Sequence, residues 1–588
     1  MSQKKAKKLR KGQTENLIET ASIGSFKGIR QILKENWKFL LILCLGVCCV
    51  YFNAMYGDFV SDDYASITQN ENLKNFGATV KGITLTSLTT YLVGVFFGDS
   101  SSIPYHLSSL AIYLLILVIG FVFLSIIFDE KIAKPSMILF AFLPVHTESV
   151  SWISGRPYLW SSLMVLTALI LFISFLKTRK TKYLIVLLVL IPFIYIADRV
   201  RSLSFIFLSI LYMLVFKDSL LKINWKKISG IFLFIFVFMF IILWNKILER
   251  ITGVNSGYNG YGGIFYDPFF QYPTAIAKYL QLIFVPIDLT LYHTMYVLPV
   301  WLNWLVTLTY LSAVIYFFFK DKRIFFALAF IFMATAPSMA PVKVSWLVAE
   351  RYVCLGSLGF CLFLVLFFQS LGKKWRILSL ILLIVIIVFY SVRIFLRNID
   401  WQTNHNLWVN TCQVSPNSHN AWNNIGDDYD KLAQLETTDE GKINQYLNSI
   451  KGFTQSVTVK QNYADAYHNR ANIFYKIGRY DLAKDSYETA LSYGPGLYQS
   501  YYSLLQIDLI EKDYNSAMDH LNKLNAARPN DPQVYYAASV IYANMGQIDK
   551  AVSILEQLVK INPTWTQAKN LLDSLKNQNK NGSENISN

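Results

Sequence analysis

Residues 464–497 read ADAYHNRANIFYKIGRYDLAKDSYETALSYGPGL, and this stretch decides the fold of the C-terminal part of the chain. The pattern returns every 34 residues, most visibly at Pro495, Pro529 and Pro563 and at Ala483, Ala517 and Ala551. A period of this length, with small and turn-forming residues at fixed places, indicates stacked pairs of helices. The sequence therefore predicts an α-solenoid, whose concave surface is suited to binding a peptide.

The period is that of tetratricopeptide repeats, and one further repeat precedes this stretch. Trp422-Asn-Asn-Ile-Gly-Asp-Asp-Tyr429 fits the opening of the motif, with isoleucine in place of leucine. An insertion of about eleven residues around Thr437 to Lys442 separates it from the next repeat. We expect a repeat domain over 398–575 that binds an acceptor on its concave face, followed by a disordered tail, 576–588. The alternative is a spacer or dimerisation element without a ligand.

The region before the repeats has the composition of a membrane domain. Of the 588 residues, 54% are hydrophobic, and the apolar residues are concentrated in long stretches. Eleven of these stretches approach the length of a membrane span. They are 38–56, 104–128, 135–152, 158–176, 183–197, 200–216, 228–245, 300–319, 324–341, 352–371 and 375–395.

Basic residues between these stretches predict the orientation. The chain begins with a basic tail, 1–37, and with eleven spans the other basic loops fall on the same, cytoplasmic side. If a twelfth candidate, 273–289, also spanned the membrane, the last two basic loops would lie on the outer side. We therefore expect this segment to lie in the membrane plane. The net charge of +16 is then an orientation signal and does not indicate a nucleic-acid partner. The repeats are expected outside the cytoplasm, on a prokaryotic cell membrane or in the lumen of a eukaryotic endoplasmic reticulum.

Two adjacent carboxylates follow the first span, in the string Gly57-Asp-Phe-Val-Ser-Asp-Asp-Tyr64. They lie in the first outer loop, 57–103, where a base could act on one substrate in the lipid and another in water. Asp62 and Asp63 are therefore candidate catalytic residues. The alternative is that the pair caps a helix just outside the span.

Further ionisable residues map to the same outer face: His146, Glu148, Arg156, Asp198, Arg199, Arg201, Glu350 and Arg351. Arginines there oppose the usual charge bias of membrane proteins, and a guanidinium can bind a phosphate through two parallel hydrogen bonds. The arginines are therefore candidates to bind an anionic lipid phosphate. The alternative is that the arginines pair with Asp198, Glu148 and Glu350.

Three short motifs carry a resemblance to a known family. Ser61-Asp-Asp63, Pro144-Val-His-Thr-Glu-Ser-Val150 with Gly155-Arg156, and Ala349-Glu-Arg-Tyr352 with Gly356-Ser-Leu-Gly359 precede the repeats. In this order they resemble the transmembrane-and-tetratricopeptide (TMTC-type) O-mannosyltransferases and their prokaryotic relatives, over about residues 38–570.

The resemblance implies an all-α chain, with a polytopic GT-C helical bundle over 38–397 and a C-terminal tetratricopeptide-repeat solenoid. It implies transfer of a sugar from a polyprenyl phosphate, with Asp62 and Asp63 as the catalytic carboxylates. The eight ionisable residues of the outer face are then candidates to bind the phosphate and sugar of this donor. No cofactor or metal is required, although the pair could hold a divalent cation. Two departures bear on donor or sugar choice: Pro157-Tyr158 where the family often has an acidic residue, and Asp198-Arg199 where it tends to have Lys-Glu.

The sequence thus predicts a membrane glycosyltransferase that moves a hexose, with mannose expected, to serine or threonine of an acceptor protein. The departing phosphate needs electrostatic stabilisation, and the acceptor hydroxyl needs one base. A second hypothesis keeps the donor and changes the acceptor to a surface glycan or lipid. A third is a membrane-anchored repeat scaffold without catalysis.

Overall fold

The computed structural model describes residues 25–81, 83–216, 268–294, 298–339, 346–529 and 531–584. The predicted span 228–245 and most of the basic tail lie outside these residues. The chain divides into two compact units, Met1–Ser415 and Pro416–Asn588. Within the described residues both units are built from helices and contain no strand, which confirms the all-α prediction.

Five described helices of the first unit are long and apolar enough to cross a membrane: Ile103–Ile127, Ile153–Thr178, Val300–Lys320, Lys322–Met339 and Ile377–Asp400. Each coincides with a predicted span. Four shorter apolar helices are Leu85–Phe97, Thr181–Ala197, Leu203–Phe216 and Ser357–Ser370. The remaining α-helices of the unit are Phe26–Val50, Phe76–Lys81, Glu130–Ala141, Thr147–Ser151, Pro268–Phe284 and Asn404–Val414. Leu85–Phe97 lies inside the predicted outer loop, where the sequence predicted no helix.

The predicted span 135–152 is not one helix. A helix ends at Ala141, a 3₁₀ turn occupies Pro144–His146, and a short helix covers Thr147–Ser151. The cause is Pro144, which has no backbone N–H and forces the residue before it into an extended conformation. Leu143 accordingly has ψ 120°. The break places His146 in the 3₁₀ turn and Glu148 in the short helix that follows it.

The core of the first unit surrounds Ile103–Ile127, which packs against the helices Glu130–Ala141 and Arg156–Thr178. The helix Ser357–Ser370 and the helix that contains Ala327 and Thr335 are in contact at two glycines. A Cβ at Gly356 would lie 2.6 Å from Thr335 Oγ1, and one at Gly359 would lie 2.6 Å from the carbonyl oxygen of Ala327. The Gly356-Ser-Leu-Gly359 motif therefore allows Ser357–Ser370 to approach the backbone of the neighbouring helix directly.

The second unit consists of the predicted helix pairs. They are His419–Leu435 with Asp439–Val459, Ala464–Lys476 with Tyr480–Tyr493, Tyr498–Glu511 with Tyr514–Ala527, and Pro532–Asn544 with Ile548–Ile561, followed by Thr566–Glu584. The recurring alanines Ala483, Ala517 and Ala551 are fully buried, because the two helices of a pair approach closely there. The 34-residue recurrence of alanine thus marks the place in each repeat where the two helices of a pair are in contact.

Three boundaries differ from the sequence prediction. The unit begins at Pro416 rather than at 398, because the helix Asn404–Val414 belongs to the first unit. The predicted insertion lengthens a helix: Asp439–Val459 has 21 residues, whereas Tyr480–Tyr493 in the next pair has 14. The last helix, Thr566–Glu584, continues past residue 576, where the sequence predicted disorder.

Candidate functional site

The acidic loop folds around Asp63, whose side chain is completely buried. Its Oδ2 accepts a hydrogen bond from the Val60 N–H, at 3.1 Å. Its Oδ1 accepts two more from Ser154, one from the backbone N–H at 2.8 Å and one from the hydroxyl. Burial raises the pKa of Asp63 to about 6, although these hydrogen bonds and the nearby charge of Arg156 act to lower it. Asp63 therefore fixes the loop while remaining close to a protonation change at neutral pH.

Asp62 has the opposite environment, since its side chain is exposed. The residue before it, Ser61, has φ 54°, in the left-handed region that residues with a Cβ rarely adopt. After this residue, the Asp62 side chain faces outward and the Asp63 side chain faces the interior. The two neighbouring carboxylates thus have separate roles in the fold.

Arg156 lies beside Asp63 because the chain makes a tight turn at Gly155. A Cβ at Gly155 would be 2.6 Å from the Glu148 carbonyl oxygen, so only glycine fits. The buried guanidinium of Arg156 donates to the Ile153 carbonyl at 3.1 Å and to the Ser108 hydroxyl at 3.3 Å. Its Nη2 has no hydrogen-bond partner among the described residues. A buried cation with a spare donor is suited to an anionic ligand.

The other predicted arginines are mostly paired. Arg351 forms a buried ion pair with Glu148, and its backbone N–H also donates to that carboxylate at 2.7 Å. Arg201 pairs with Asp198 three residues earlier. Arg199 is exposed and lies over the Tyr195 ring at 5.9 Å. For Arg351 and Arg201, the alternative that the sequence left open, pairing with acidic neighbours, describes their contacts.

Arg351 and Arg201 also share an aromatic wall. The Arg201 guanidinium lies 4.1 Å from the ring centre of Tyr158 and 4.7 Å from that of Tyr352, and Arg351 lies 5.6 and 5.1 Å from the same two rings. The Tyr158 hydroxyl accepts a hydrogen bond from Arg351 Nε at 3.1 Å. Tyr158 stands at one of the two places where the sequence departs from the resembled family, and here it holds two arginines together.

Glu350 forms a second buried carboxylate site. Its Oε1 accepts from the Thr290 N–H and lies 3.4 Å from both Arg397 Nη2 and His293 Nε2. Burial raises the pKa of Glu350 to about 7, against the lowering effect of the Arg397 charge. Arg397 also contacts Asp400 at 3.0 Å. Glu350 is thus enclosed by a backbone N–H and a histidine from the segment 290–293 and by one arginine, Arg397.

His146 is held inside the bundle. Its Nδ1 is 2.8 Å from the Tyr113 hydroxyl, and its Nε2 is 2.8 Å from the Ser357 hydroxyl. Both ring nitrogens are therefore engaged by protein groups, and the side chain is fully buried. The structure gives His146 contacts that fix the broken segment after Pro144 against the helix Ser357–Ser370.

These contacts link several of the predicted residues within the first unit. Asp63 contacts the turn before Arg156, and Glu148, from the short helix Thr147–Ser151 that precedes this turn, reaches Arg351. Arg201 reaches this group through Tyr158 and Tyr352. Among the residues that the structure describes, no cluster of three or more His, Cys, Asp or Glu is arranged to hold a metal ion.

Sequence reasoning missed two side chains that build the site, Ser154 and Arg397, and it noted Tyr158 only as a departure from the resembled family. Ser154 stands between two predicted residues, but a serine in a turn carries no distinguishing signal. Arg397 did carry one, because two charged residues, Arg397 and Asp400, stand at the end of an apolar helix. The predicted span stopped at 395, so neither residue was considered part of the site.

The described residues define a multi-pass all-α membrane protein with a tetratricopeptide-repeat unit. Two models described as "Tetratricopeptide repeat" match residues 464–496 and 508–575, which confirms the repeats. The chain is similar over most of its length to the human "Protein O-mannosyl-transferase TMTC3" (22% identity over 91% of this chain and 61% of that protein) and to its mouse counterpart at 21%. A relative from Caenorhabditis elegans, "Protein O-mannosyl-transferase F38B6.6", is 24% identical over 73% of this chain and 63% of its own length.

The resemblance found in the motifs is thus confirmed as homology to TMTC3-type proteins. The chain spans about three-fifths of the length of these curated relatives. Among solved structures, the MamA protein is 16% identical and aligns with 28% of this chain at a TM-score of 0.24. YrrB, described as "a TPR protein with an unusual peptide-binding site", is 18% identical over 30% of this chain and 84% of its own, also at 0.24.

Proposed function

We propose that this protein is a membrane glycosyltransferase of GT-C type. It moves a hexose, with mannose preferred, from a polyprenyl-phosphate donor to serine or threonine hydroxyls of a protein. The names of its relatives support the reaction class. The observation that carries the proposal is the pair of carboxylates, one exposed and one buried beside an arginine with a spare donor.

Asp62 is the general base in this mechanism. Its exposure allows an acceptor hydroxyl to approach, and a base must come within hydrogen-bond distance of the proton that it removes. Asp63 anchors the loop through Ser154 and keeps a negative charge beside Arg156. The hydroxyl oxygen attacks the anomeric carbon, its proton passes to Asp62, and the bond from that carbon to the phosphate oxygen breaks.

Arg156 stabilises the departing phosphate. Its Nη2 is buried and has no partner among the described residues, whereas Arg351 and Arg201 each have a carboxylate. A donor that is already fixed in place stabilises developing charge without reorganisation. Arg351 and Arg201 shape the neighbouring wall through Tyr158, on the side where the sugar would lie.

The repeat unit presents a groove for the acceptor. A cavity of about 300 Å³ is lined mainly from the first helices of three consecutive repeats, with Phe453 and Tyr487 from second helices. Asp430, Asn469 and Gln506 contribute, one from each repeat, together with the paired Lys476, which contacts Asp430 at 2.7 Å. Amide and charged side chains in a row can bind the backbone and polar side chains of an extended peptide. We place this groove and the carboxylates outside the cytoplasm, in agreement with the charge bias of the loops.

The test is sugar transfer in proteoliposomes that contain the full-length protein. Radiolabelled polyprenyl-phosphate-mannose is supplied with a serine- and threonine-rich acceptor, and the wild type is compared with Asp62→Asn and Asp63→Asn. Asp58→Asn is the matched control, because Asp58 is exposed in the same loop. We expect label on the protein band, lost in Asp62→Asn and kept in Asp58→Asn.

Other outcomes would replace the proposal. Label in the lipid extract with an unlabelled protein band would indicate a glycan or lipid acceptor. No transfer by folded wild type with mannose, glucose or N-acetylhexosamine donors would favour the scaffold. Transfer that survives Asp62→Asn and is lost in Asp63→Asn would assign the base to Asp63.

A further inference from the structure

A short segment at the end of the last apolar helix binds the acidic loop. We call residues 401–404 the strap. The carbonyl oxygen of Gln402 accepts a hydrogen bond from the Asp58 N–H at 2.8 Å. The side-chain Oδ1 of Asn404 accepts one from the Ser61 N–H, also at 2.8 Å. The strap therefore holds two backbone amides of the loop at once, one by a main-chain oxygen and one by a side chain.

The hydrogen bond between Ser61 and Asn404 involves a residue with an unusual backbone conformation. Ser61 has φ 54°, a conformation that a residue with a Cβ keeps only where its surroundings hold it. Asn404 binds the amide of this residue, and Ser61 directly precedes the exposed Asp62. On the other side of Asp62, the Asp63 carboxylate is bound by Ser154. Asp62 is thus exposed between two anchored residues, and Asn404 supplies one of the anchors.

The strap is itself fixed. Trp401 is buried and stacks on Trp152, with ring centres 5.8 Å apart. The Thr403 hydroxyl accepts from the Asn406 N–H at 3.1 Å and caps the helix Asn404–Val414. Asn404 is the first residue of that helix, so its backbone position is set by the cap and its side chain is free to reach the loop.

We propose that Asn404 is a positioning residue for sugar transfer: its side-chain oxygen holds Ser61 in the left-handed conformation and so directs the Asp62 carboxylate toward the acceptor hydroxyl. This inference rests on the proposed function, because it gives Asn404 its effect through Asp62. It concerns orientation of the base and leaves the binding of donor and acceptor to other residues.

The experiment measures transfer kinetics of the full-length protein in proteoliposomes for Asn404→Ala, Asn404→Gln and Asn404→Asp. The first two remove or displace the acceptor oxygen, and we expect kcat to fall by about 10- to 100-fold, since small misplacements of reacting groups cost this much. KM for donor and acceptor should stay within about twofold. Asn404→Asp should keep most of the activity, because a carboxylate oxygen also accepts from Ser61 and is favoured at a helix N-terminus.

Asn406→Ala is the matched control. Asn406 lies two residues along the same helix, and its side chain donates to the Ile399 carbonyl, away from the loop. Its kcat should remain near the wild-type value. A KM effect in place of a kcat effect, or equal losses in Asn404→Asp and Asn404→Ala, would overturn the proposal.

A second readout does not depend on activity. Hydrogen–deuterium exchange over residues 57–64 should speed up at the Ser61 amide in Asn404→Ala and stay unchanged at Asp58, whose partner is a backbone carbonyl. Faster exchange at Ser61 with an unchanged kcat would also overturn the proposal. Absence of transfer by the folded wild type would instead refute the proposed function, and this inference with it.

Discussion

Asp63 and Glu148 are both fully buried in the first unit, but their surroundings differ in kind. Neutral donors from Val60 and Ser154 bind Asp63, whereas Glu148 is matched directly by the Arg351 guanidinium. A matched pair of buried charges is closed to further ligands, and it breaks at a high cost if one partner is lost. The region around Asp63 keeps an arginine with a spare donor. The Glu148 region is therefore suited to support the site, whereas the Asp63 region is suited to bind an anionic ligand.

The largest effect is expected from breaking the matched pair. Glu148→Ala leaves the Arg351 guanidinium buried without its carboxylate, which costs about 3–5 kcal/mol of the free energy of unfolding. Thermal unfolding of the purified protein, followed by tryptophan fluorescence, measures the loss. Asp427→Ala is the control, because its ion pair with Lys431 is exposed, and such pairs contribute about 0–1 kcal/mol. Equal losses in the two variants would show that the buried ion pair contributes no more to the free energy of unfolding than the exposed pair.

The next effect concerns catalysis rather than folding. Arg156→Gln keeps most of the side-chain volume but removes the charge, and we expect kcat to fall by about 10²- to 10³-fold, as when one donor to a developing anion is lost. Arg156→Lys should recover only part of the rate, because an ammonium lacks the planar fork. Initial rates at saturating donor give kcat. A variant that raises only KM would place Arg156 in ground-state binding.

A third effect depends on pH. Because burial raises the pKa of Asp63 from 3.8 to about 6, the folded protein binds this proton more tightly than the unfolded chain. The resulting stabilisation is present below pH 3.8 and is lost as the pH rises through 6, by roughly 3 kcal/mol in all. Asp63→Asn removes this dependence, so its stability relative to wild type should increase from pH 4 to pH 7.5. Parallel stability curves over this range would contradict a raised pKa.

The smallest effect is expected at Arg199. Its side chain is exposed and lies over Tyr195, outside the aromatic wall that Arg201 and Arg351 share. Arg199→Gln should leave kcat and KM within about twofold of wild type, since exposed charges contribute little. A marked rise in KM for the donor would show that the exposed arginine meets the lipid phosphate first.

The repeat unit was predictable because residues close together in the sequence form the contacts that define each repeat. The 34-residue spacing of Ala483, Ala517 and Ala551 records the contacts inside each helix pair, and the structure buries all three. The break near residue 143 was also predictable in principle, because Pro144 is visible in the sequence. One continuous span, 135–152, was predicted because the stretch is hydrophobic, and the absence of a backbone N–H at Pro144 was not taken into account.

The arrangement of the site was predictable only in part. Charge and topology placed Glu148 and Arg351 on one face, but their contact joins residues 203 positions apart, and a single sequence does not record such a distance. His146 was predicted to bind the donor from its place in an outer-face cluster with Glu148 and Arg156. In the structure its two nitrogens contact Tyr113 and Ser357, and donor binding by His146 stays a prediction. The partners of a polar residue decide its role, and those partners are set by tertiary packing.

The two glycines at 356 and 359 have a consequence for how this protein can change over evolution. They set how closely the helix Ser357–Ser370 lies to its neighbour, and the turn that carries Glu350 and Arg351 leads directly into that helix. A side chain at either position would shift the helix and, with it, the turn that holds Glu350 and Arg351 against their partners. We expect the glycines, the two acidic sites and their arginines to be inherited together as one block, while the repeats can be gained or lost one at a time.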